Sequence, residues 1–167
     1  GRLARTARSR RSGTIPEARR PGSDDLDALL ENQLNATVAA VRQDFEAFQI
    51  SPALQRIWEL IRSVNQYIVK REPWALAKDP ERRPQLEATL YHASDALRVT
   101  AALIDPVMPG TAERIRRMLG IPQEPWTNLS AGTLQPGTRF GPTEPLFPRI
   151  EKSLEELRGM STQDASQ

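Results

Sequence analysis

Apolar residues recur every three or four positions along three long stretches of this chain, the spacing of one face of an α-helix. The first stretch predicts a helix over residues 24–48. Ser23 and the acidic residues that follow it are typical of a helix start, because carboxylates favour the positive end of the helix dipole. The expected apolar face consists of Leu26, Leu29, Leu30, Leu34, Val38, Val41, Phe45 and Phe48.

The second stretch begins at Ser51-Pro52, where we expect Ser51 to cap the helix and Pro52 to take its first position. Pro73 should end this helix, since the residue before a proline is pushed out of the helical region. A short helical turn is expected to follow through Leu76. The predicted apolar face, which places Trp58 in the core, consists of Leu54, Ile57, Trp58, Ile61, Val64 and Ile68.

The third stretch opens in the charged segment 80–84 and predicts a long helix. A Pro-rich break over 105–110 precedes a short helix, Thr111 to Leu119, which Gly120 ends. Three long amphipathic helices with short joints predict an all-α fold, an antiparallel helix bundle over residues 23–120. The third helix is expected to bury Leu86, Leu90, Ala93, Leu97, Ala101 and Ile104.

Six prolines and three glycines lie between Ile121 and Pro148. This composition predicts an extended, Pro/Gly-rich C-terminal segment that wraps the bundle, and a last short helix is expected over 150–157. Together they form a unit over 121–158, followed by a disordered tail over 159–167. The anchors of the wrap are expected to be Trp126, Leu134, Phe140, Leu146 and Phe147.

Charge is unevenly distributed along the 167 residues, although the net charge is only +2. Residues 1–22 hold seven arginines and one glutamate, so they carry +6, and the remaining chain therefore carries −4. The arm is predicted to be mostly disordered, and it is either a solvated leader or a contact for a polyanion such as backbone phosphate. The chain has no cysteine and no apolar run of the roughly 20 residues that a membrane span needs. We expect no membrane association and a cytoplasmic location.

Residue types for catalysis are present, but not in a catalytic arrangement. His92 is the only histidine and lies within the third predicted helix, where a surface or packing role is expected. The Pro136-Gly137 and Gly141-Pro142 turns lack the glycine spacing and the lysine of a phosphate-binding loop. Enzymatic chemistry within this chain is therefore not expected.

A binding role has better support, and it centres on Trp74, directly after the Pro73 break. Lys70, Arg71 and Lys78 place cations around this tryptophan in the sequence. Single-stranded RNA loops are held by aromatic rings that stack on bases beside cations that meet phosphates. Without those neighbours, a tryptophan at such a corner would be expected to cover the core.

Four motifs, in this order and at this spacing, give the chain its resemblance to a known family. They are Ala53-Leu54-Gln55-Arg56-Ile57-Trp58-Glu59-Leu60, then Asn65-Gln66-Tyr67-Ile68 with Pro73-Trp74-Ala75-Leu76-Ala77-Lys78, then Ala96-Leu97-Arg98-Val99 through Pro106-Val107-Met108-Pro109-Gly110-Thr111-Ala112-Glu113, and Pro145-Leu146-Phe147-Pro148-Arg149-Ile150-Glu151. Over 23–151 the chain resembles the anticodon-binding part of bacterial methionyl-tRNA synthetases, which are class I synthetases.

The resemblance implies that Trp74 stacks on an anticodon base and that Asn65 helps to hold the helix corner. An Asn–Arg pair of the family reads further bases; Arg2 would be its arginine, and the asparagine would precede residue 1. The implied partner is the anticodon arm of tRNA(Met). The family's ATP and methionine sites depend on a His-Ile-Gly-His-like motif and a Lys-Met-Ser-Lys-Ser loop, and this sequence contains neither. The chain is therefore expected to hold no cofactor and to be inactive alone, with ATP bound by a separate catalytic domain in the full-length family.

Three interpretations stay open at this point. The chain is a tRNA-binding module of a methionine–tRNA ligase, a catalytically inactive fragment of such an enzyme, or a helical bundle that binds another protein. A fragment would regain ligase activity with an upstream segment that encodes the missing motifs. A protein-binding bundle would keep its partner after the loss of Trp74.

Overall fold

The computed structural model describes Ile15 and residues 23–142. Five α-helices follow one another in this part of the chain: α1 (Asp25–Glu46), α2 (Ile50–Arg71), α3 (Pro73–Leu76), α4 (Arg83–Ile104) and α5 (Pro109–Leu119). Short 3-10 turns occupy Pro80–Arg82 and Trp126–Asn128. The rest of the predicted arm and tail, the predicted helix over 150–157, and Leu146 and Phe147 lie outside the described residues.

The three long helices pack as an antiparallel bundle, which confirms the predicted all-α fold. α1 lies along α2, and α4 packs against both of them and against α5. The core runs through α1, α2, α4 and α5. Burial of each large aliphatic side chain in it contributes about 1.5–3 kcal/mol. Its fully buried members include Leu34, Val41, Ile57, Leu60, Val99 and Leu103. No helix in residues 23–142 is long and apolar enough to cross a membrane.

The helix starts differ from the predicted ones in detail. Asp24, rather than Ser23, caps α1: its carboxylate accepts a hydrogen bond from the backbone N–H of Leu26. α2 begins at Ile50, one residue before the predicted cap Ser51, and Gln49 precedes it without a side-chain cap. Pro52 is tolerated as the third helical residue, because the first backbone N–H groups of a helix have no partner within it.

Two aromatic residues predicted for the core are exposed. Trp58 is 43% exposed, because its neighbours Ile57 and Leu60 occupy the inner face of α2. Phe48 is 89% exposed, because α1 ends at Glu46 and Phe48 adopts a left-handed backbone conformation (φ 58°) in the turn to α2. Leu29, also predicted for the apolar face of α1, is exposed too.

The apolar face predicted for α4 is partly wrong. Leu90 and Leu97 are more than 40% exposed, whereas the polar residues Thr89, His92, Asp95 and Arg98 are buried. α4 is the central helix and has neighbours on most of its sides, so its burial does not follow a single stripe. Among these buried polar residues, Asp95 accepts hydrogen bonds from the Arg98 side chain and from the backbone N–H of Gly132.

The described part of the extended segment, residues 121–142, covers one side of α4, which agrees with the predicted wrap. Trp126 packs edge-on against Phe45, with ring centroids 5.3 Å apart, and its indole N–H donates to the backbone oxygen of Ala102 at 2.9 Å. Leu134 is buried beside Tyr91, whose hydroxyl donates to the Leu134 backbone oxygen at 3.1 Å. These two anchors hold the wrap on the bundle.

Candidate nucleic-acid interface

The corner between α2 and α3 is built by three consecutive residues. α2 ends at Arg71, and Glu72 adopts a left-handed conformation with φ 46° and ψ 57°. Pro73 then starts α3, a position that suits a proline because no backbone N–H is needed there. The chain thus turns sharply and places Trp74 as the second residue of the new helix, as the Pro73 break predicts.

The Trp74 side chain is 55% exposed at this corner. Within residues 23–142 it has no ring contact or hydrogen-bond partner, and more than half of its surface is exposed to solvent. Leu76, two residues further on, is fully buried and fixes the inner side of the short helix. The corner therefore presents a flat aromatic surface on an anchored backbone.

Two of the predicted cations lie on the surface, and both are close to Trp74 in the sequence. Lys70 and Lys78, four residues before and four residues after Trp74, are both exposed. Lys70 also borders a groove of about 360 Å³ between α1 and α2. The other residues that line this groove are Leu26, Leu29, Leu30, Gln33, Ser63, Gln66 and Tyr67. Among the described residues neither lysine has a hydrogen bond or an ion pair, so both are candidates to meet an anionic ligand.

Arg71 is not on the surface, which corrects the expectation that it meets phosphate. Its side chain is only 4% exposed, and the guanidinium donates to both carboxylate oxygens of Asp24, at 2.7 Å in one of the two bonds. A further bond joins it to Asp27 at 2.6 Å. Burial alone would lower the pKa of the Arg71 guanidinium, but its hydrogen bonds with the two carboxylates outweigh burial and raise the pKa. The charge is therefore permanent and already neutralised.

The partners of Arg71 form a buried polar cluster that joins α1 and α2. The Tyr67 hydroxyl donates to Asp27 at 2.6 Å, and the guanidinium of Arg71 lies over the Tyr67 ring, 5.4 Å from its centroid. Burial and the Asp27 hydrogen bond raise the pKa of Tyr67, so the hydroxyl stays protonated and remains a donor. Hydrogen bonds with Arg71 lower the pKa of Asp24.

α4 adds His92 to the edge of this cluster. The side chain is buried, with Nδ1 3.4 Å from a carboxylate oxygen of Glu31 and Nε2 3.9 Å from one of Asp27. Of the two roles predicted for the histidine, surface or packing, its burial supports packing. Within the described residues no group of three or more histidine, cysteine, aspartate or glutamate side chains could hold a metal ion.

Asn65 and Arg2 are the remaining predicted site residues. Asn65 is exposed on the outer face of α2, and within residues 23–142 its side chain has no hydrogen bond that would hold the corner. Arg71, by contrast, is bonded to Asp24 and Asp27 of α1 directly before the corner. Arg2 lies outside the described residues.

Sequence reasoning missed the buried cluster, although a signal for it was present. The inner positions of α2 are Ile57, Leu60, Val64 and Tyr67, at steps of three and four residues. The next position in that series is Arg71. A cation that continues a buried stripe needs a buried carboxylate partner, and this rule would have placed Arg71 inside.

A helical bundle with an exposed aromatic corner is the arrangement expected of an anticodon-binding domain of a class I aminoacyl-tRNA synthetase. The profile of the family described as "Anticodon binding domain of methionyl tRNA ligase" matches residues 15–161. The chain belongs to this family.

Curated relatives agree with this assignment. The chain is 37% identical over 150 residues to a methionine–tRNA ligase of Caldanaerobacter subterraneus subsp. tengcongensis, an alignment that covers 87% of this chain and 23% of the relative. It is 35% identical over 130 residues to the methionine–tRNA ligase of Bacillus subtilis, covering 76% of this chain and 20% of the relative. The chain thus spans about a fifth of the length of these relatives.

The fold is also found in a solved structure. The apo form of Mycobacterium tuberculosis methionyl-tRNA synthetase superposes with a TM-score of 0.72 at 30% sequence identity. That superposition covers 84% of this chain and 29% of the solved chain. The resemblance implied by the four sequence motifs is therefore confirmed at the level of family and fold.

Proposed function

We propose that this domain binds the anticodon arm of tRNA(Met) and that Trp74 stacks on an unpaired anticodon base. The single observation that carries the proposal is the Trp74 indole, exposed on a fixed corner of an anticodon-binding domain. Stacking of one base on an aromatic side chain contributes about 1–3 kcal/mol. The exposed part of the ring is available for such stacking.

Lys70 and Lys78 supply the charge for the neighbouring phosphates in this proposal. Both are exposed, in contrast to Arg71, whose charge is neutralised inside the bundle. The Arg-rich arm, with Arg2 near its start, is a further candidate for phosphate contacts. Each neutralised phosphate releases counterions, so affinity should fall steeply with salt.

The proposed role in the longer protein is recognition rather than chemistry. We infer that a catalytic domain, in the part of the relatives that this chain does not span, binds ATP and methionine in the cytoplasm. A solved relative from M. tuberculosis is described as a complex with methionyl-adenylate. The present domain would bring tRNA(Met) to such a site and so contribute to methionyl-tRNA formation.

Binding to anticodon stem-loops tests the proposal directly. We expect a stem-loop with the anticodon CAU to bind more tightly than one in which the first base is changed, as measured by fluorescence anisotropy at a fixed salt concentration. If the domain reads the first anticodon base directly, the altered stem-loop should bind several-fold more weakly than the CAU stem-loop. Equal affinity for both stem-loops would contradict anticodon recognition.

A pair of aromatic variants assigns the binding to Trp74. Trp74→Ala should weaken CAU stem-loop binding about 5- to 150-fold, the equivalent of one lost stacked base. Phe48→Ala is the matched control, because Phe48 is also an exposed aromatic residue but lies in the α1–α2 turn, at the other end of α2 from the corner. It should bind as the unaltered protein does. Loss of RNA binding in both variants, or in neither, would count against the corner as the interface and would favour a protein-binding bundle.

A further inference from the structure

Within residues 23–142 the Trp74 side chain has no hydrogen bond and no ring contact, so the backbone of the corner is the main determinant of its orientation. The backbone of the corner is held at two places. Leu76 holds the side after the tryptophan by packing inside the bundle. The side before it ends at Arg71, three residues upstream, whose buried guanidinium is bound to α1.

The Arg71 contacts fix the last turn of α2 against the first turn of α1. Asp24 is the N-cap of α1, and Asp27 is the third residue of that helix. The two form a capping box, since the backbone N–H of Asp24 donates to the Asp27 carboxylate at 3.1 Å. Arg71 thus binds two carboxylates whose own positions are set by the helix that they start.

The geometry of these contacts is restrictive. A planar guanidinium that meets one carboxylate with two bonds fixes both the distance and the angle between the groups. Tyr67 adds a third contact from the preceding turn of α2 through its bond to Asp27. Rotation of the last turn of α2 would break at least two of these bonds and leave a buried charge without its partner.

We infer that Arg71, Asp24 and Asp27 are positioning residues for RNA binding: they hold the left-handed turn at Glu72 so that the Trp74 indole is presented in one orientation. The inference rests on the proposed function and adds the residues that preorganise its stacking platform. A preorganised aromatic group loses less conformational freedom on binding, which favours the complex. Arg71 therefore acts on RNA through Trp74 and not through a phosphate.

The test compares two arginines that tie the same pair of helices. Arg71→Met removes the tie at the corner. Arg56→Met is the matched control, because Arg56 bonds to Asp44 at 2.6 Å and joins α2 to α1 near the opposite end of both helices. We expect Arg71→Met to weaken CAU stem-loop binding about two- to tenfold and Arg56→Met to leave it unchanged.

A spectroscopic measurement separates positioning from a general loss of structure. The chain contains three tryptophans, so 5-fluorotryptophan labelling should give three fluorine NMR signals, each assigned by a Trp→Phe variant. Arg71→Met should shift and broaden the Trp74 signal and leave the signal of Trp126, which is anchored on Ala102, unchanged. Arg71→Lys keeps the charge but cannot form the pair of hydrogen bonds with Asp24. Its Trp74 signal should lie between those of the unaltered protein and Arg71→Met.

Asp24→Asn guards against a variant that does not fold. The Asp24 side chain is 49% exposed, and asparagine is an equally good N-cap, so this change removes one ion pair from a fold that should persist. It should move the Trp74 signal and weaken binding in the same direction as Arg71→Met. Folded variants with an unchanged Trp74 signal and unchanged affinity would overturn the inference. A Trp74 signal that moves while the unaltered protein binds no stem-loop would overturn the proposed function instead, and the positioning role with it.

Discussion

Among the described residues, Arg71 and Arg98 have buried guanidinium groups, and each is bound to carboxylates. Arg98 is bound to Asp95, Glu124 and the backbone oxygen of Ser130. Removing one partner of such a group leaves an uncompensated charge in the interior, which is far more costly than the loss of a surface pair. The inner arginines are therefore structural residues, whereas the exposed lysines are available to a ligand.

A comparison of two ion pairs measures this difference. Arg98→Met leaves the fully buried Asp95 without its cation and should lower the free energy of unfolding by about 3–5 kcal/mol. Arg117→Met breaks an exposed pair with Glu113 on α5 and should cost at most about 0.5 kcal/mol. Urea denaturation gives both values. Similar losses for the two variants would show that Asp95 is compensated by its other contact, the backbone N–H of Gly132.

Acidification should weaken the Arg71 tie. Because Arg71 lowers the pKa of Asp24 in the folded state, the ionised carboxylate stabilises the fold above pH about 4, the usual aspartate pKa. This contribution is lost as the pH falls through the lowered pKa. The difference in free energy of unfolding between the unaltered protein and Asp24→Asn should therefore narrow from pH 5 to about pH 2. A difference that stays constant over this range would mean that the folded and unfolded pKa values are equal.

At the scale of residues, the sequence was a good guide to Trp74 and a poor one to Arg71. A proline break determines where one helix ends and the next begins, so it places Trp74 at the corner between them. That information is local in the sequence. The direction in which Arg71 points depends on two aspartates more than 40 positions away, at the start of another helix. Local charge clustering suggested a phosphate contact, and the burial of the α2 inner face overrode it.

The elements show a related limit. Periodicity located α1, α2, α4 and α5 to within a few residues, because amphipathic spacing is a property of each helix alone. It failed to identify the buried side of α4, where leucines occur on the outer face as well as the inner one. Which face is buried depends on the positions of the neighbouring helices and of the wrap, and these come from the whole fold.

The two faces of α4 can be distinguished by truncating one leucine on each. Leu103→Ala removes a fully buried side chain and should cost about 2–5 kcal/mol. Leu97→Ala acts on a side chain that is 43% exposed and should cost markedly less, at most about 1 kcal/mol. Both values can be measured by thermal or urea unfolding. Equal losses would imply that a further part of the protein covers Leu97.

The junction of α5 with the wrap depends on the absence of side chains. Gly120 ends α5 with φ 68°, and a Cβ atom there would lie 2.2 Å from the backbone oxygen of Arg139. Gly141 fits equally closely, since its Cβ would lie 2.0 Å from the backbone oxygen of Arg117, and its N–H donates to the Met118 oxygen. The wrap therefore approaches the end of α5 backbone to backbone.

Two glycine variants test this fit. Gly120→Ala should lower the free energy of unfolding by more than about 1 kcal/mol, because of the left-handed conformation and the collision. Gly110→Ala is the control: it lies in the first turn of α5 with open space around it, and alanine should stabilise the helix by up to about 1 kcal/mol. Differential scanning calorimetry would detect opposite shifts in Tm. Shifts of the same sign would contradict the close approach.

At the scale of the whole molecule, α4 is enclosed by α1, α2 and α5 on several sides and by the wrap on another. Tyr91 shows the completeness of this enclosure: burial, reinforced by the charge of Asp95, raises the pKa of its hydroxyl to about 12. Ile15 closes the same side through backbone bonds with Thr138 and Gly137, at 2.8 and 2.7 Å. Segments more than 100 positions apart in sequence thus meet at one helix, an arrangement that no local pattern could reveal.

The two arginine ties between α1 and α2 have a mechanical consequence. One tie is at the Trp74 corner and the other, Arg56 to Asp44, is near the Phe48 turn. A shift of α1 along α2 by a single helical turn, about 5.4 Å, would have to break both ties at once. The 22 residues of α2, about 33 Å long, therefore form a rigid spacer between Phe48 before the helix and Trp74 after it. The separation between the Trp74 corner and the Phe48 turn is therefore constant as long as both ties persist.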